Sequence, residues 1–154
     1  MKYGLLSVFF CLFTSQPLFS QQPDFQASPA SEHCILIILS EVWADVNELA
    51  GEVAKYNAEE YTDEGLKVSR LLMPYLSDVP VLYVRTFPDK ASAMAYYRRL
   101  YEKKPNFMQM QMVDAVWPLT INNYNQIIIH ESLGAYPQFF ESNYMRLDHS
   151  FKQR

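Results

Sequence analysis

His33-Cys34-Ile35-Leu36-Ile37-Ile38-Leu39 is the stretch whose reading decides the fold. Seven β-branched and apolar residues are too few for an ordinary helix and fit one strand. Alternate side chains of a strand point to opposite faces, so this strand is apolar on both. It belongs inside a sheet that needs cover on each side. Either an aromatic C-terminal helix or a partner supplies the second cover.

Downstream, the pattern changes to a helical period from Val42 to Tyr61, where Val46, Leu49, Ala50, Val53 and Tyr56 share one stripe. Thr62-Asp63-Glu64-Gly65 breaks that helix, and Leu66–Met73 reads as a second strand ending at Pro74. Residues 74–80 carry two prolines and read as a hairpin loop before a third strand, Val81–Phe87. Asp89 is placed to cap a helix from Lys90 to Lys103, because its side-chain oxygen can accept first-turn amides. Ala93, Met94, Tyr97, Leu100 and Tyr101 give that helix its apolar face, with Tyr97 in the core and Tyr96 half-exposed. A fourth strand is expected over Ala115–Asn122, while Ile127-Ile128-Ile129 stays open between strand and helical turn. Tyr136–Tyr144 reads as a last helix, with Phe140 and Tyr144 four apart on one face.

The order is β-α-β-β-α-β plus a C-terminal helix, an α+β arrangement of the ferredoxin-like kind with an antiparallel sheet. Strands one and three are then central, while two and four are edges. Lys67, Ser69 and Arg70 in strand two suit an edge.

Upstream of the fold-deciding strand, residues 1–20 read as an export signal. Lys2 is a small positive n-region, Gly4–Phe13 an apolar core, and Leu18-Phe19-Ser20 resembles a cleavage site before Gln21. The apolar run is about ten residues where a spanning helix needs roughly twenty, so no direct membrane span is expected. Cys11 inside that run makes a poor lipoprotein site. Gln21–Glu32, polar with Pro23 and Pro29, reads as an extended, mobile leader. The expected organisation is therefore signal 1–20, flexible leader 21–32, one domain 33–145 and a polar tail 146–154. The exported protein is expected in the periplasm or at the outer membrane.

Composition narrows the function. The chain of 154 residues has a net charge of −4 and no Lys/Arg stripe, which disfavours nucleic acid and anionic lipid. Four glycines leave little room for a phosphate-cradling loop. Cys34 is the only cysteine after cleavage and sits in an apolar strand, as an inert buried thiol does. No His-x-x-His, Cys-x-x-Cys or His-Glu-x-x-His spacing marks a metal site, and no Gly-x-Ser-x-Gly marks a nucleophile. His130-Glu131 is adjacent rather than convergent. No enzyme activity, cofactor or metal is expected.

Aromatic residues are the better leads. Tyr83 and Arg85 share one face of strand three. They form either an aromatic-plus-cation patch for a partner or sugar, or packing beneath the last helix with Arg85 in solvent. Trp117 on an edge strand and Trp43 at a helix start carry the same ambiguity. Tyr83, Arg85 and Trp117, with Phe140 and Tyr144 of the last helix, are the candidate partner-binding residues.

Several segments, in order, resemble a known group: His33–Ile37, Leu66–Leu72, Tyr83-Val84-Arg85-Thr86-Phe87-Pro88-Asp89-Lys90 through Ala93-Met94-Ala95-Tyr96-Tyr97, and Tyr136-Pro137-Gln138-Phe139-Phe140-Glu141-Ser142-Asn143-Tyr144. Together they resemble the C-terminal module of tetratricopeptide-repeat lipoproteins of Bacteroidota, a group that includes gliding-motility and type IX secretion components. The resemblance covers roughly residues 33–145, and it implies an envelope protein-interaction module with no catalytic residues to carry over. The chain departs from the group in having neither the repeats nor a lipidated cysteine. The spacing Phe87…Ala93…Tyr97 also resembles SPOR domains, which share the order of elements and bind peptidoglycan. The expected role is an exported adaptor in an envelope or outer-membrane complex, with peptidoglycan binding as the alternative. Expressed with its leader in a bacterial host, the protein should be recovered from the envelope with Gln21 as its first residue by N-terminal sequencing; Met1 would refute the export reading.

Overall fold

The structure, a computed structural model, describes residues 23–40, 45–76, 78 and 80–146. The expected signal, Trp43 and nearly all of the polar tail lie outside the described residues. The elements are β1 (His33–Leu39), α1 (Val46–Glu60), β2 (Lys67–Leu71), β3 (Val81–Phe87), α2 (Lys90–Lys103), a short α3 (Asn106–Gln109), β4 (Val113–Thr120), α4 (Ile121–His130) and α5 (Tyr136–Phe140), which runs into a π-helical turn, Glu141–Met145. The four strands form one antiparallel sheet in the order β2-β3-β1-β4, so the chain is α+β. As expected, β1 and β3 are central and β2 and β4 are edges.

Local chemistry places the helices. Asp45 accepts from the amides of Asn47 and Glu48 at the start of α1. Asp89 accepts from the amide and hydroxyl of Ser92, both at 2.8 Å, at the start of α2. These bonds to first-turn donors hold the Asp89 carboxyl below the usual carboxylate range. The Ile127-Ile128-Ile129 ambiguity resolves as helix. Thr120 caps α4 through Asn123, and only Ile127 of the three is buried.

Each face of β1 has its own core. Ile35, Ile37 and Leu39, with Leu82, Val84 and Val116, pack against Leu49, Val53, Leu100 and Phe107 from the helices. Tyr96 is fully buried there and donates to Asn57 Oδ1 at 2.8 Å, while Tyr97 is only partly buried. That inverts the expected roles of the two tyrosines. The physical reason is that α2 is rotated to meet α1, where Asn57 supplies the partner a buried phenol needs.

On the opposite face, Cys34 and Leu36, with Val81 and Leu119, are covered by Ile127, Tyr136, Phe140 and Tyr144. The second cover is the chain's own C-terminal part. α4 lays Tyr124 on Tyr83, ring centroids 4.9 Å apart. Tyr136 donates its hydroxyl to the carbonyl of Pro118, blunting the β4 edge. Pro118 itself has no N–H to offer a further strand.

Residues 23–32, expected as a leader, make contacts with this second layer. Phe25 lies edge-on to Tyr136 at 4.9 Å, and Gln26 exchanges backbone hydrogen bonds with the Asn123 side chain at 2.9 and 3.0 Å. The amide of Lys90 donates to the Pro29 carbonyl at 2.9 Å. Because both faces of β1 are sealed, Ile35→Ala and Leu36→Ala should each cost about 2–5 kcal/mol in urea unfolding. A Leu36→Ala cost below about 0.5 kcal/mol, a surface-like value, would contradict the closed second face.

Candidate functional site

The outer face of α2 and the π-helical turn line a largely apolar groove. Met94, Tyr97 and Tyr101 follow the three- and four-residue spacing of one helix face, and Tyr144 and Met145 form the facing wall. Arg98 and Glu102 also line this groove of about 350 Å³. A shallower depression of about 460 Å³ adjoins it, sharing Met94, Arg98 and Tyr144 and bounded by Lys90 and Pro29.

The facing wall is held by two polar anchors. His33 is fully buried, with Nδ1 2.7 Å from the Ser31 carbonyl and Nε2 3.0 Å from the Tyr144 hydroxyl. In the neutral ring, Nδ1–H donates to Ser31 and Nε2 accepts from Tyr144, a tautomer assigned from these partners. Lys90 donates from Nζ to the Asn143 carbonyl at 2.6 Å, and the same ammonium lies 4.6 Å from the Tyr144 ring centroid. Burial, with nearby Lys90, pushes the His33 pKa down against the opposing Ser31 hydrogen bond and the Asp89 charge. Burial pushes the Tyr144 phenol up to about 12, so both groups are neutral at physiological pH.

The residues expected to bind a partner are not brought together as one surface. Phe140 is buried between Trp117 at 5.4 Å and Tyr97 at 5.5 Å, so it is core and not contact surface. Tyr144 is 2% exposed and contributes to the groove wall while its hydroxyl is taken by His33. The burial of both has one cause: the last helix closes the sheet. Trp117 is half-buried against Phe140 and Tyr136. Tyr83 is half-buried beneath Tyr124, whereas Arg85 is exposed. The tyrosine and arginine therefore do not form the single open patch. Sequence reasoning missed the groove because Met94, Tyr97 and Tyr101 read as a core stripe. The available signal was Arg98 and Glu102, charges flanking that stripe at helical spacing.

Asp89 is occupied as a helix cap, and no group of three or more metal-ligating side chains occurs among the described residues. Cys34 is fully buried, and burial pushes its thiol up to about 12. No described helix is long and apolar enough to cross a membrane. The chain matches no family model, no curated protein sequence and no solved structure.

The His33 anchor has a pH signature. The folded pKa lies below that of the unfolded chain, about 6.5, so the unfolded state takes the proton more readily. Its contribution is fully present above pH about 6.5 and lost as pH falls toward the folded pKa. Urea midpoints should therefore drop between pH 7.5 and 5.5, and His33→Gln should flatten that slope while lowering the midpoint at pH 7.5. Equal slopes in the two proteins would show that His33 is not the group responsible.

Proposed function

We propose that this chain is an exported, non-enzymatic adaptor of a bacterial cell-envelope assembly, in the periplasm or at the outer membrane. The observation that carries the reading is the α2 groove. A groove of methionine and tyrosine with Arg98 and Glu102 also in its lining suits a partner segment that is apolar with polar flanks. The resemblance to the C-terminal modules of tetratricopeptide-repeat envelope lipoproteins supports the same role and points to type IX secretion or gliding machinery as the assembly. The sheet is read as ferredoxin-like. Support for that reading is the β-α-β-β-α-β succession once α3 is treated as an insertion, together with the central position of β1 and β3.

A second reading, a peptidoglycan-binding module, is favoured by one detail. Tyr101 is 42% exposed, its ring lies 4.7 Å from that of Tyr97, and Arg98 and Glu102 stand beside it, as stacking and hydrogen bonding to a sugar require. Purified sacculi separate the two readings. An adaptor stays in the supernatant on sedimentation, whereas a glycan binder pellets with the sacculi. For the adaptor, affinity capture from the native envelope should return stoichiometric protein partners, and Tyr101→Ala should weaken capture roughly tenfold or more as a contact-centre aromatic. Undiminished capture by the folded variant would remove the groove from the account.

A further inference from the structure

We propose that the exposed edge of β2 is a second docking site, one that receives an extended acidic segment of a partner protein as an added strand. The inference rests on the adaptor reading and names a different surface from the groove. Of the two sheet edges, β4 is blunted by Pro118 and the Tyr136 hydroxyl, whereas residues 67–71 of β2 have no backbone hydrogen bond beyond those to β3 among the described residues. Such a row of unpaired N–H and C=O groups is a template for one more strand.

Charge specifies the occupant. Lys67 pairs directly opposite Arg85 across the β2–β3 ladder, and both are exposed. Like charges in direct opposition work against the sheet. Among the described residues the ion pair is Arg99 with Glu60, and neither Lys67 nor Arg85 has a carboxylate within bonding distance. Arg70, on the same strand, donates to the neutral Asn47 side chain. Lys67 and Arg85 thus share one face at this edge, with Arg70 on the strand's other face toward α1, in a chain whose net charge is −4. Guarding the edge against aggregation accounts for Lys67 and Arg70 but not for Arg85, which lies on a central strand. A strand added beside β2 extends the Arg85–Lys67 row by one position. A glutamate or aspartate there would sit next to Lys67 and relieve the repulsion. A second copy of this chain would bring more uncompensated cations to the same place.

The test uses two capped heptapeptides, one alternating threonine and valine with glutamate, the other identical with lysine in place of glutamate. Amide hydrogen exchange of residues 67–71 is followed in the full exported protein. The glutamate peptide should slow exchange there by roughly tenfold or more, the lysine peptide should not, and Lys67→Glu with Arg85→Glu should reverse the preference. Protection by neither peptide, or by both alike, overturns the proposal. The charge-reversed protein is also taken through envelope capture. Partners retained in full by that variant overturn the edge site and leave the adaptor reading standing. Capture of nothing by either protein sinks the adaptor reading, and the peptide result alone then decides the edge.

Discussion

Sealing β1 on both faces is the constraint on which the rest of this structure depends. A strand with Ile35, Ile37 and Leu39 on one side and Cys34 and Leu36 on the other cannot stand at the surface. Each of these buried side chains is worth about 1.5–3 kcal/mol, Cys34 less, against exposure. The first face is met by α1 and α2, as in any β-α-β unit. The second face needs α4, α5 and the π-helical turn, which bring Tyr124, Tyr136, Phe140 and Tyr144 to it. Tyr124, Tyr136, Phe140 and Tyr144 are a lid of rings, and Phe25 from the N-terminal segment joins it.

That closure redirects the functional argument. A sheet face open to a partner would have made Tyr83, Arg85 and Trp117 a docking surface. With α4 laid over Tyr83, the surfaces left for the docking proposed above are the outer groove of α2 and the edge of β2 that is unpaired among the described residues. The groove is lined by Met94, Tyr97 and Tyr101 with Arg98 and Glu102, and the edge carries Lys67. The anchors of the groove wall belong to the same closure. His33 begins β1 and Tyr144 ends the lid, so their hydrogen bond ties the first strand to the last turn.

Much of the fold was legible in local sequence. The bounds of β1, β3 and α2 follow from β-branched runs, prolines and the Asp89 cap, all of which act within a few residues. What was not legible depended on long-range contacts. Choosing Tyr96 over Tyr97 for the core required knowing that Asn57 of α1 faces it. Residues 23–32 look polar and unstructured until Asn123, almost a hundred positions away, supplies the hydrogen bonds of Gln26. Ile127-Ile128-Ile129 stays open in sequence between a strand, which β-branching favours, and a helical turn; helix won because Thr120 caps the segment and one face of it meets β1 and β4. At the candidate surfaces, the exposure of Arg85 was among the readings weighed, but its opposition to Lys67 needed the β2–β3 register. The prolines of the connecting loop alone leave that register open.

Cys34 offers the most direct measurement of the central claim that the chain seals the second sheet face itself. Its thiol lies at the centre of that face and is the only one in the exported protein if cleavage follows Ser20. The rate of labelling by an aromatic disulfide reagent is to be measured under native conditions and with increasing urea. The account predicts that labelling proceeds only through opening whose free energy approaches that of global unfolding. Stoichiometric labelling within seconds in the absence of urea, from a protein that remains folded, would show the face open and contradict it.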